Sequence, residues 1–199
     1  MLGVAVLIIV MSVMNGFKTD LTKKILGLNP HIIIQPNSYI IDDNYISNLK
    51  NKFQNIEMIK SFSGEGIIIS NDNAKGVILK GLNKNEKKSI DFLNNNVVSG
   101  EIKFFTNNQV FIGTELAFNL NLKVGDNINI MSSAFVATPL GSVPKQENYK
   151  IAGTFNTGFL EFDQNIVFLE TRNVLSIFDK EEKDQNIEIY LKNPLDADS

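Results

Sequence analysis

A chain of 199 residues with 43% apolar residues and 14 phenylalanines can fill a core, which excludes disorder as its main state. Its formal net charge of −3, with lysines spread along the chain, gives no basic surface for a nucleic acid. The absence of cysteine excludes disulfides, thiol nucleophiles and thiolate metal sites, and a single histidine, His31, leaves no material for the usual zinc or His-based acid–base sites.

The run from Leu2 to Met14 carries no charge and is the most hydrophobic stretch of the chain. A bilayer core needs about 20 apolar residues in a helix, so this run alone is short. A secretory signal peptide would need a basic start and a small-residue cleavage site, and neither is present. A buried core helix would show one polar face. The reading adopted is part of a transmembrane helix that leaves the membrane near Asn15-Gly16-Phe17 and continues as an amphipathic stretch from Lys18 to Leu28.

Asn29-Pro30 then forces extended backbone, with His31 at the mouth of a strand ending at Gln35, and a turn follows at Pro36-Asn37-Ser38. Asp42 and Asp43 open a helix whose Ile46, Leu49, Phe53 and Ile56 share one face. Ile59 to Ile69 and Gly76 to Gly81 read as a hairpin around Asn71-Asp72-Asn73. The polar stretch Asn83 to Lys88, leading to Ile90-Asp91-Phe92-Leu93, reads as a surface connection.

A second module follows, with a strand at Gln109 to Ile112, a helix from Thr114 to Leu120, and strands Asn127 to Met131 and Tyr149 to Phe155. Strand Ile166 to Leu169, helix Glu170 to Phe178 and strand Ile187 to Leu191 give another strand–helix–strand unit. The expected class is α+β, in segments 1–28 (membrane and juxtamembrane helix), 29–96, a β-rich insert at 97–160 and 161–199.

Candidate chemistry is thin. Gly64-Glu65-Gly66 precedes isoleucines where a phosphate-binding helix would start, so it reads as a strand bend. Asp42-Asp43 and Glu181-Glu182-Lys183-Asp184 read as solvated carboxylates with no metal, and no serine sits in a nucleophile elbow. We expect no catalytic residue and no cofactor.

The segment Ser133 to Lys145 is different, because Phe135, Val136, Leu140 and Val143 stand among Pro139, Gly141 and Pro144 in a stretch that reads as a loop. Apolar side chains on a restricted loop point to a docking finger for a protein partner; the alternative is a tip folded back onto its own sheet.

Gly3 to Phe17, the run Ile25-Leu26-Gly27-Leu28-Asn29-Pro30-His31, Val110 to Ala117 with Val124-Gly125-Asp126, and Thr138-Pro139-Leu140-Gly141 with Val143-Pro144 and Tyr149 to Phe155 together resemble the LolC/LolE permeases. Those are subunits of the ABC transporter that extracts lipoproteins from the bacterial inner membrane. The resemblance implies a MacB-like periplasmic core, with porter-like strand–helix–strand units split by the β-rich insert. It implies a chaperone-binding hook at 133–146, using Phe135, Thr138, Pro139, Leu140, Gly141, Val143 and Pro144. It further implies an acyl-facing wall at Leu7, Val10, Met11 and Met14. ATP hydrolysis would lie on a cytoplasmic ATP-binding subunit, beside a second permease subunit, with a periplasmic lipoprotein chaperone and the lipoprotein cargo as the other partners. The runner-up is a MacB-like or division-type permease that transmits force without such cargo.

Overall fold

Helix α1 runs unbroken from Leu2 to Leu28 in the computed structural model, which describes residues 2–36, 43–53, 56–70, 73–102, 108–139 and 141–191. The expected turn residues Asn37, Ser38, Asn71 and Asp72, the expected helix opener Asp42, and Leu140 of the hook lie outside these residues. Every described side chain of α1 from Gly3 to Thr19 is exposed, so this part of the helix stands clear of the rest of the chain.

Pro30 ends the helical path and strand β1 (Ile32–Ile34) follows. Helix α2 (Asp43–Lys52) and strand β2 (Ile56–Ser61) come next, and the last described strand, β10 (Asn186–Leu191), inserts between β1 and β2, antiparallel to both. His31 fastens this small sheet: its N–H donates to the Ile189 carbonyl at 2.9 Å, and its Nδ1 accepts the Leu191 N–H at 2.8 Å.

The larger sheet has the order β5-β8-β6-β9-β4-β3-β7 among the described residues. Its strands are β3 (Ser63–Ser70), β4 (Asn73–Leu82), β5 (Val97–Gly100), β6 (Gln109–Gly113), β7 (Asn127–Thr138), β8 (Gly141–Phe155) and β9 (Ile166–Glu170). Strand β7 also pairs with β8, so the sheet closes on itself as a ring of six strands from which β5 branches. Alternation along each strand sends Ile68, Leu79, Val110, Ile112, Ile130, Tyr149, Ile151, Val167 and Leu169 into the ring, all essentially buried. Helices α4 (Thr114–Asn119) and α6 (Thr171–Ile177) add Leu116, Val174 and Ile177 to this core.

The outward residues of the same strands build a second core. Phe111, Phe155 and Phe168 meet Leu93 of α3 (Lys87–Asn96) and Phe162 of α5 (Leu160–Asn165), with the Phe168 ring 5.0 Å from those of both Phe92 and Phe155. Helix α3 corrects the expected surface connection, because Ser89 and Leu93 of this polar segment are buried. The ring takes strands from residues 63–82, 109–155 and 166–170, and so spans all three segments into which the sequence after residue 28 was divided.

Charges join the two sheets. Lys80 of β4 meets Glu188 of β10 at 2.9 Å, both largely buried, and the Tyr190 hydroxyl donates to Glu188 at 2.7 Å. Burial would raise the Glu188 carboxyl, but Lys80 and the hydroxyls of Tyr190 and Ser61 outweigh it and hold the group below its ordinary range. Lys88 of α3 places Nζ 3.0 Å from the Tyr190 ring centre and 3.5 Å from Glu57, and burial lowers its pKa. Burial, then the charges of Glu188 and Glu57, raise Glu86 to about 7.

Two expectations follow. A Cβ on Gly113 would lie 1.7 Å from the Asp163 carbonyl oxygen, whereas one on Gly76 meets nothing within 4 Å. Gly113→Ala should therefore cost about 3 kcal/mol or more in urea unfolding, and Gly76→Ala should be neutral or slightly stabilising. For Glu86 the folded pKa is raised above 4.5, so its proton favours the folded state below that value and the contribution is lost as pH rises through about 7. Glu188 acts in the opposite sense, but its depressed pKa confines its effect to lower pH. The urea midpoint should fall between pH 5.5 and 8, and Glu86→Gln should flatten that fall; an unchanged slope in the variant would refute the assignment.

Candidate docking hook and apolar helix

Strands β7 and β8 do not stop where the ring ends. Within the ring they pair from Asn127↔Lys150 to Met131↔Gln146, and beyond it from Phe135↔Pro144 to Thr138↔Gly141. The expected loop at 133–145 is thus a continuation of both strands, a two-stranded hook. Between the two registers Ser132, Ser133 and Ala134 face Lys145 alone, a bulge that bends the ribbon.

Chain chemistry accounts for the tip. Gly141 has φ +125°, a conformation that favours glycine, and the Thr138 hydroxyl donates to the Gly141 carbonyl at 2.6 Å. Pro144 sits at a strand position opposite Phe135, and Pro139 follows Thr138 at the turn. Prolines and the bulge leave the hook poorly suited to pairing edge to edge with another chain.

The apolar side chains stay in water. Phe135 is 65% exposed, Val136 45% and Val143 47%, and the structure brings them together through the pairs Phe135↔Pro144 and Val136↔Val143. Apart from Lys145 at the base, no charged residue lies between Ser132 and Gln146. An exposed apolar ribbon of this kind carries a desolvation gain that this fold leaves unused.

Leu7, Val10, Met11 and Met14 lie at helical spacing along one side of α1, each more than half exposed. Val4, Val6, Ile8, Ile9 and Val13 are exposed to the same degree, so the helix is apolar around its circumference. Among the described residues no helix is long and apolar enough to cross a membrane, and no group of three or more His, Cys, Asp or Glu is placed to hold a metal ion.

One feature escaped sequence reasoning. A groove of about 540 Å³ runs over the outer face of β3, β4 and β7, lined by Ile67, Ile78 and Met131 with Glu65 and Ser133 at its edges. Its only signal in the sequence is the alternation of Ile67 and Ile69 with Ile68, which does not say that a face stays uncovered.

The sequence profile of the MacB-like periplasmic core domain matches residues 1–199. The lipoprotein-releasing system transmembrane protein LolC of Neisseria meningitidis serogroup B is 23% identical over 205 residues, which cover 98% of this chain and 48% of that protein. The corresponding LolE of Haemophilus influenzae is 32% identical over 139 residues, covering 66% of this chain and 33% of that protein. The chain spans about half the length of these relatives, or less. Among solved structures, the extracellular domain of the noncanonical ABC-type transporter YknZ from Gram-positive bacteria shares the fold, with a TM-score of 0.50 at 13% identity, covering 81% of this chain and 82% of that one. The chain belongs to the family of MacB-like periplasmic core domains and, within it, is similar to the LolC and LolE proteins of lipoprotein-releasing systems.

Proposed function

We propose that the chain is the periplasmic part of a permease subunit in an inner-membrane ABC transporter that releases lipoproteins and passes them to a periplasmic chaperone. The observation that carries this reading is the hook, an apolar ribbon held out from a closed ring with Phe135, Val136 and Val143 in water. A force-transmitting relative without a lipoprotein cargo needs no apolar finger, and the names of the curated relatives point to lipoprotein release.

In this scheme the chaperone engages the hook through Phe135, Thr138, Pro139, Leu140, Gly141, Val143 and Pro144. Helix α1 lies in the membrane, where its apolar circumference is matched to hydrocarbon. Leu7, Val10, Met11 and Met14 offer acyl chains a surface worth about 0.8 kcal/mol per buried CH₂, and methionine adapts to chains of varied packing. ATP is hydrolysed on a separate cytoplasmic subunit, and a second permease subunit completes the complex. Residues 29–191 of this chain stand on the periplasmic side.

Photocrosslinking in the assembled transporter tests the hook. A photoreactive residue at Val136 should capture the chaperone, and Phe135→Ser with Val143→Ser should lower capture at least about tenfold, the loss of one good apolar anchor. Unchanged circular dichroism would show that the variant folds. A folded wild type that captures no chaperone would transfer the assignment to the force-transmitting relative. For α1, lipoproteins with photoreactive acyl chains should label Leu7, Val10, Met11 and Met14 above Ile8, Ile9 and Val13. Equal labelling around the helix would remove the acyl wall.

A further inference from the structure

A two-stranded ribbon that leaves its sheet at a bulge has little to hold its angle, since an isolated hairpin is marginally stable in water. At this bulge each strand sends one side chain to the same place. The buried Ser132 hydroxyl donates to the Ile177 carbonyl at 2.5 Å, and Lys145 Nζ donates to the Ser176 carbonyl at 2.6 Å. Both acceptors are at the C-terminal end of α6, where carbonyls carry partial negative charge that suits an ammonium group; the Ser176 carbonyl also accepts the Asp179 N–H at 3.0 Å, using its second lone pair for Lys145.

The two bonds are themselves supported. Ser132 Oγ also accepts the Ala134 N–H at 3.2 Å, which holds the extra residues of the bulge. Glu147 stands 3.6 Å from Lys145 and accepts the Tyr149 hydroxyl at 2.6 Å, which ties the ammonium to a side chain buried inside the ring. Burial, followed by the bond and charge of Glu147, raises the Tyr149 pKa, so this hydroxyl stays protonated as a donor.

The place where the latch fastens connects two parts of the molecule. Phe178, just after α6, packs its ring 5.7 Å from Phe62, the residue that follows β2, and the chain enters β10 of the small sheet at Asn186. Strand β10 pairs with β1, which follows α1.

We propose that Ser132 and Lys145 are positioning residues that latch the base of the hook to the end of α6, fix the hook's direction, and make it move with the small sheet. The value of the latch for chaperone capture rests on the function proposed above; its mechanical role does not.

The chain has no native cysteine, so pairs of spin labels can be placed directly. Labels at Ser142→Cys on the hook and Lys123→Cys in the connection that enters β7 report hook direction by pulsed dipolar spectroscopy on the 199-residue chain in detergent. Labels at Ala74→Cys and Lys123→Cys report the ring itself. Ser132→Ala with Lys145→Met should widen the hook distance distribution about twofold or more while the ring pair is unchanged. Lys145→Arg, which keeps a donor, should retain much of the sharpness that Lys145→Met loses. If the double variant does not fold, Lys145→Met alone serves, because Lys145 fills no part of the core. An unchanged hook distribution in a variant that has lost the donors would overturn the proposal. The measurement needs no partner, so failure to capture a chaperone would sink the functional reading and leave this result standing.

Discussion

Strand β10 is hydrogen-bonded on both edges, to β1 along Ile187–Ile189 and to β2 along Asn186–Leu191, and the arrangement of the whole chain depends on this insertion. Without it β1 and β2 have nothing between them, and α1 hangs from a three-residue strand with no sheet to join. With it, residues 32 and 189 are neighbours, so everything between them must leave the small sheet at β2 and return through α6. The ring of strands is the body of that excursion. Lys80, Glu188, Lys88 and Tyr190 then brace it against the sheet it left, in a cluster dry enough to displace the ordinary titration of several of its members.

Ring closure explains why a hook can exist at all. An open sheet would leave the outer edges of β7 and β8 unpaired, with all the hazards of exposed backbone donors and acceptors. Here β7 pairs with β3 on one side and β8 on the other, and β8 turns from β7 to β5 and β6 along its length. The two longest strands are therefore anchored over their inner halves by three neighbours and can run past the rim, resuming their pairing in a shifted register after the bulge. Phe135 and Val143 are exposed because they lie beyond the last strand able to cover them, while Ile128 and Ile130 of β7 and Tyr149 and Ile151 of β8 are buried.

Much of this was legible residue by residue. The strand runs at 109–112, 127–131, 149–155 and 166–169 show the apolar patterning of buried strands and fold as such. Helix α3 was hidden by composition, since Asn94, Asn95 and Asn96 favour turns over helix interiors and its apolar contribution is confined to Phe92 and Leu93. The hook's apolar content was plain, but its conformation was not, because Pro139, Gly141 and Pro144 read as loop residues. Pro144 is tolerated in the strand because it sits beside the bulge, where the ladder is already broken. Pairings such as Gly66↔Ser132 and Ile78↔Ile166 join residues far apart in sequence, and no local pattern encodes them. The joint between the sheets was illegible for the same reason, its charges being drawn from β2, β4, α3 and β10.

The insertion of β10 also sets a timetable for biosynthesis. Between the end of β2 at Ser61 and the start of β10 at Asn186, about 125 residues must be added, roughly 6 to 25 seconds of translation. Throughout that interval β1 and β2 wait with open edges, although the ring strands between them emerge and can close. Helix α1 is thus made well before the sheet that will hold it, and the order of events on the ribosome is the reverse of the order of dependence in the finished fold.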